Sequence, residues 1–149
     1  MNLEEILYRE KIELATLTSR VIAFLIDKLL LSFVFTLIYW DSFSSVERSY
    51  VQIVGFLNQV IWQYLLLSFA YEAIFTFLYG ATLGKIVCKI KVISTSLLDR
   101  PSIAFACIRS MVKILGEYLA YAPFFLVFFT PFRQALHDLL GKSIVIKNA

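Results

Sequence analysis

Two long apolar runs dominate the chain, and polar breaks set their limits. Val21 to Trp40 is almost continuous in Leu, Ile, Phe and Val, close to the ~20 residues that a helix needs to cross a bilayer. Tyr39 and Trp40 close it, as interfacial aromatics do. The second run, Val60 to Tyr79, has Trp62 and Tyr64 near one end and Tyr79 at the other. A connector, Asp41 to Gln59, separates the two and carries Asp41, Glu47 and Arg48. Ahead of the first run, Leu3, Ile6, Leu7, Leu14 and Leu17 recur near helical spacing among charged residues. Asn2 to Ser19 therefore reads as a short amphipathic helix on the membrane surface, or equally as a solvated arm. Gly80-Ala81-Thr82-Leu83-Gly84-Lys85 ends the second helix. It predicts a tight turn at the membrane edge, with Thr82 as a cap and Gly84 admitting close backbone approach.

The last third is harder to divide. Ser102 to Phe132 is mostly apolar but broken by Pro123 and Pro131. A single crossing would leave Arg133, Lys142 and Lys147 outside, against the positive-inside rule. Two shorter helices turning near Tyr121-Ala122-Pro123 would return the tail to the cytoplasm. Lys89 to Ser94 and Lys142 to Lys147 are both short, β-branched and partly alternating, so both read as strands. Strands of this length are unstable alone, and these two can pair only on one side of the membrane. The expected architecture is an all-α membrane protein, a small polytopic helical bundle with two short cytoplasmic strand-like segments. Two full spans plus a helical hairpin is the favoured arrangement, with a third span as the alternative.

Composition agrees. The chain has 149 residues, 60% hydrophobic and 16% aromatic, with a mean hydropathy of +0.78. Soluble domains are nearer ~45–50% apolar. The length suits one domain, residues 1–149, with 1–19 as the arm and 20–147 as the core. Lys85, Lys89, Lys91, Arg100, Arg109 and Lys113 face one acid, Asp99. This basic loop, 84–113, should be cytoplasmic, and both termini with it. Basic residues flanking lipid spans set topology and make no nucleic-acid surface. Cys88, Cys107 and the single His137 have no metal-ligand spacing, and a cytoplasmic pair of thiols stays reduced. The first apolar run contains Asp27-Lys28 and lacks a small-x-small cleavage site, so it does not read as a signal peptide.

Charges inside the apolar runs are the informative residues. Asp27 lies about two turns into the first span, where a carboxylate costs roughly 2.5–3.5 kcal/mol on insertion scales. Arg20 is nearly in line with it on the helix, but ~10 Å away by rise. Side chains lean toward the helix N-terminus, so Arg20 leans away from Asp27. Each should meet a group on another helix, with Ala23 leaving room for its approach. Partners are available in Glu72, in the stripe Arg109, Lys113 and Glu117, and in Arg133, His137 and Asp138. Acids Asp27, Glu72, Glu117 and Asp138 balance bases Arg20, Arg109, Lys113 and Arg133, four against four. Lys28 points about 100° from Asp27 and snorkels to the headgroups in this reading.

The cluster has a functional reading, a proton or ion path, and a structural one, a charge network that fixes helix register. Catalysis is not expected: His137-Asp138 has no Ser or Cys nucleophile near it in sequence. Gly80 to Lys85 departs from Walker A, with three residues between the glycines and Ile86 after Lys85. No cofactor is implied.

The sequence resembles the RDD family of bacterial membrane proteins. The matching stretches are Ser19-Arg20-Val21-Ile22-Ala23-Phe24-Leu25-Ile26-Asp27, then Thr82-Leu83-Gly84-Lys85 with Lys91-Val92. Arg133-Gln134-Ala135-Leu136-His137-Asp138-Leu139-Leu140 and Ile144-Val145-Ile146 complete them, covering Leu17 to Lys147. The resemblance maps the family's name-giving arginine and two aspartates to Arg20, Asp27 and Asp138. It implies a bacterial cytoplasmic membrane and a transport role, some members being linked to sodium/proton exchange. Lys142-Ser143 departs from the family's small residue and Thr, and the spans are unusually rich in Phe. The three named residues should converge near the cytoplasmic half of the bundle. Two functions stand: ion or proton-coupled transport with Asp27 as carrier, or a non-transporting scaffold or assembly partner. So small a transporter, with no inverted repeat, would work as a homo-oligomer.

Overall fold

The computed structural model describes residues 2–45, 49–96, 98–119 and 128–148. Its elements run α1 (Leu3–Arg9), α2 (Leu17–Ile38), α3 (Trp40–Ser45), α4 (Tyr50–Tyr79), α5 (Leu83–Val87), β1 (Ile90–Ser94), α6 (Ile103–Tyr118), α7 (Leu136–Leu140) and β2 (Ser143–Lys147). Helices α2 and α4 are long and apolar enough to cross a membrane.

The α2 helix starts where the Thr16 side chain accepts from the Ser19 N–H at 3.2 Å. Its 22 residues rise ~33 Å, enough for a hydrocarbon core of ~30 Å. Ala23, Asp27, Leu31 and Phe35 are buried at four-residue spacing. Val21, Leu25, Leu29, Phe33 and Leu37 are exposed. The helix thus turns small and polar groups inward and bulky apolar ones outward, as a lipid-facing helix should. It meets α4 through large side chains, Phe35 standing edge-on to Tyr64 with ring centroids 5.4 Å apart.

The α4 helix corrects the expected second span. It begins at Tyr50, ten residues before Val60, and takes up much of the supposed connector. Gln52, Gly55, Asn58 and Gln59 had lowered the hydropathy there without breaking the helix. Glu47 and Arg48 lie outside the described residues. The C-terminal break is as expected: Gly80, at φ 70°, caps the helix and donates to Thr76 O. Its carbonyl then accepts from the Val92 N–H at 2.6 Å, which ties the end of α4 to β1.

The strands pair antiparallel, with Ile90 opposite Lys147, Val92 opposite Val145 and Ser94 opposite Ser143. Leu14 adds a bridge to Ile146 on the far edge of β2. Ile90, Val92 and Val145 pack with Ala15 and Ala23. Ile93, Ile144 and Ile146 pack with Leu7 of α1. The small sheet is therefore covered by the head of α2 on one face and by α1 on the other. This corrects the N-terminal arm: α1 is only Leu3–Arg9, and its apolar side serves the sheet rather than a bilayer surface.

Helix α6 packs against α4 and α7. Its 16 residues rise ~24 Å, less than the hydrocarbon core. The expected turn at Tyr121-Ala122-Pro123 lies outside the described residues.

Candidate functional site

The polar interior has two parts. Around Asp27, 3% exposed, the hydrogen-bond donors among the described residues are uncharged groups. Tyr71 Oη donates to Oδ1 at 2.7 Å, Thr82 Oγ1 to Oδ2 at 2.5 Å, and the Gly84 N–H to Oδ1 at 2.8 Å. The Leu83 N–H donates to Tyr71 Oη at 3.0 Å. The first free N–H groups of α5 are thus satisfied by side chains of α4 and α2, an N-cap supplied from other helices. Thr82 occupies the N-cap position, but its hydroxyl serves Asp27 instead of the cap. A Cβ on Gly84 would lie 2.2 Å from Ala23 O and 2.8 Å from Asp27 Oδ1. Only glycine lets the α5 backbone come so close. Lys85 is the last part of this motif, and it reaches Glu72.

The second part is ionic. Glu72 of α4 meets Lys85 Nζ at 3.1 Å, Lys113 Nζ at 2.9 Å and Arg109 Nη1 at 3.6 Å. Asp138 of α7, fully buried, meets Arg109 Nη2 at 2.8 Å and Arg20 Nη1 at 3.2 Å. It also accepts from the Ala135 N–H at 3.3 Å. Arg109 therefore joins the two carboxylates, and the network links α2, α4, α5, α6 and α7. Removing one partner from such a buried set costs about 3–5 kcal/mol, because the other charge is stranded.

Several sequence expectations change here. Arg20 and Asp27 do bond to other elements and not to each other, but the partners of Asp27 are Tyr71, Thr82 and Gly84, not Asp138 or the α6 stripe. Lys28 does not snorkel: its Nζ pairs with Glu117 Oε2 at 2.7 Å and lies near the Phe24 and Tyr64 rings. Arg133 Nη1 donates to Ala15 O at 3.4 Å, and Lys85 holds the place expected for it in the charge balance. Sequence reasoning missed Tyr71 and the ionic role of Lys85. Tyr71 carried one signal, a phenol deep in an apolar run beside Glu72. Lys85 was read only for topology, and the Gly80 break is what folds it back.

Outside the spans, titration follows these contacts. Burial pushes Lys85 down to about 8, against the pull of Glu72. Burial pushes His137 down to about 3, so its ring is neutral near pH 7. Burial raises the Asp138 carboxyl, but nearby positive charge from His137, when protonated, Arg109 and Arg20 outweighs that and holds it at about 2.

A cavity of about 380 Å³ opens beside the network. Arg20, Asp27, Lys85, Arg109, Lys113 and Asp138 line it together with Leu17, Val21, Phe24 and Phe128, and most of its surface is apolar. Arg20, Asp27 and Asp138 meet as walls of this cavity and not as one bonded set. Among the described residues, no three His, Cys, Asp or Glu side chains gather into a metal-binding group.

The RDD family model matches residues 14–142, nearly the whole chain. The chain belongs to the RDD family. With two helices long and apolar enough to span, this RDD protein is a membrane protein. It is 29% identical over 83 residues to the uncharacterized protein RP437 of Rickettsia prowazekii (strain Madrid E), a match covering 53% of this chain and 43% of the relative. The match thus spans less than half the length of that relative. No solved structure matches the chain. The matched region contains every residue that builds the two polar parts: Arg20, Asp27, Tyr71, Glu72, Thr82 to Lys85, Arg109, Lys113, Ala135 and Asp138.

Proposed function

We propose that this RDD protein is a multi-pass protein of the bacterial cytoplasmic membrane that binds an anionic ligand in its basic cavity, without catalysing a reaction. One observation carries the reading. Four bases, Arg20, Lys85, Arg109 and Lys113, line the cavity against two carboxylates, Asp27 and Asp138. Glu72, which holds three of the bases, brings the acids to three. The balance favours an anion over a small cation. Asp27, with three donors already on its oxygens, is poorly placed to carry a proton or a cation. The sheet, the basic loop and both termini belong on the cytoplasmic side in this reading. Thermal unfolding of the purified protein tests it. Phosphate-class anions should raise the midpoint saturably, as a ligand that binds only the folded state does. No anion-specific shift would reject it.

Ion or proton-coupled transport remains the second reading, favoured by one specific feature. Lys85 sits at about 8 inside a connected network, so a proton can exchange there near neutral pH. A homo-oligomer is then expected. Proteoliposome flux abolished by Lys85→Met, with the fold intact, would support it. Absence of flux, with one stoichiometric protein partner in a pull-down, would favour the scaffold role.

A further inference from the structure

We infer that the occupant of this cavity is the phosphodiester headgroup of an anionic membrane lipid, entering sideways from the bilayer; the inference rests on the anion-binding reading above.

The charge comes first. Four bases, Arg20, Lys85, Arg109 and Lys113, against three acids, Asp27, Glu72 and Asp138, leave one positive charge (4 − 3 = +1). His137 in the same wall is neutral near pH 7. A phosphodiester carries one negative charge and matches that balance. Buried donors are also left over. Arg109 is 2% exposed, and among the described residues its Nη1 has no hydrogen-bond acceptor, Glu72 Oε1 lying 3.6 Å away. Arg20 Nε is likewise buried without an acceptor among the described residues. Neither nitrogen has accessible surface in the cavity, so a phosphate reaches these donors only as the Arg20 and Arg109 side chains turn toward it, phosphate oxygens being their natural complement.

The walls say what the anion is attached to. Leu17, Val21, Phe24 and Phe128 face the cavity, whereas a site for free phosphate has no need of apolar walls. Val21 is 57% exposed and Phe128 65% exposed. The rim is therefore continuous with the lipid-facing surface of α2, and a chain can pass over it without meeting water. The volume of about 380 Å³ lies at the lower end of the ~300–1,000 Å³ of small-molecule sites. It suits a headgroup and the first methylenes, with the rest of the lipid left in the bilayer. Depth agrees too. Arg20 lies in the first turn of α2 and marks headgroup level, with Asp27 ~10 Å deeper. Basic pockets between helices at that level are lipid-headgroup sites elsewhere.

The test uses the full chain, purified in a neutral detergent and delipidated. Thermal unfolding is followed while phosphatidylglycerol, phosphatidylcholine of the same chains, or inorganic phosphate is added. Native mass spectrometry counts retained lipid. The expected result is one retained phosphatidylglycerol and a saturable rise in the unfolding midpoint that phosphatidylcholine does not give. Inorganic phosphate should also raise the midpoint, but only at much higher concentration, because it leaves the apolar walls uncovered. Val21→Trp, at the exposed rim, should weaken phosphatidylglycerol binding by about tenfold or more while keeping the lipid-free midpoint. Equal stabilisation by phosphatidylcholine, or unchanged affinity in Val21→Trp, would overturn the inference. Inorganic phosphate matching phosphatidylglycerol would also overturn it while leaving anion binding standing. If neither anion acts, both readings fall.

Discussion

Gly84 has almost no freedom, because the carbonyl of Ala23 stands where its Cβ would be. Gly84→Ala should push α5 off α2, lengthen both the Gly84 and Thr82 bonds to Asp27, and cost about 1–3 kcal/mol, as overpacking does. A lower unfolding midpoint in detergent checks this. His137 supplies a pH dependence whose sign is fixed. Its folded value, about 3, lies below the 6.5 of an exposed imidazole, so the unfolded chain takes up the proton first. Its contribution is full above pH 6.5 and is lost as pH falls toward 3, with a slope of at most about 1.4 kcal/mol per pH unit. Asp138 adds to the loss between 3.8 and 2. In His137→Gln the unfolding midpoint should stay flatter between pH 6.5 and 4 than in the native chain; equal profiles would contradict the assignment. At this scale the sequence revealed which residues are expensive but not whom they meet. The lean of helical side chains showed that Arg20 cannot serve Asp27. Nothing in one chain's spacing shows that a tyrosine from α4 and a backbone N–H from α5 arrive instead.

Helices and strands were legible in proportion to how purely periodicity decides them. The α2 helix differs from its expected span by four residues at the start and two at the end. The strands differ by one residue each at the start, because alternating β-branched residues between polar ends leave little choice. The early start of α4 was hidden by polar residues that a helix tolerates, and α1 was misassigned because amphipathicity names a buried face without naming what buries it. The sheet also makes a geometric prediction. The Val92 N–H points to Gly80 and the Val145 carbonyl to Ala15, so this opposed pair exchanges no bonds and its Cα atoms lie close, near ~4.5 Å. Val92→Cys with Val145→Cys should therefore form a disulfide under mild oxidation, within the usual Cα range. A non-reducing gel should show the internally cross-linked form running faster, and the single variants should not. Failure to cross-link would place the register elsewhere.

For the whole molecule, the three segments that meet in one layer are residues 13–15, β1 and β2. They come from the head, the middle and the tail of the chain, so the head and tail lie at the same end of the spans. Reporter tags at the N-terminus and after Asn148 should therefore give the same accessibility in intact cells, both protected if that end is cytoplasmic. Opposite accessibilities would require a different number of crossings. The basic loop that argued for this side is less of a loop than its sequence implied, since Lys85 and Arg109 are buried. Lys89 and Arg100 remain exposed to orient it. The donors that Tyr71, Thr82 and Gly84 bring to Asp27 also bear on the order of assembly. A chain made from its N-terminus delivers α2 to the membrane before Tyr71, Thr82 or Gly84 exists. For that interval the carboxylate lacks the three donors that hold it in the folded protein. Arg20 waits longer still, for a carboxylate 118 residues downstream. The ion pair of Arg20 is completed only when α7 brings Asp138.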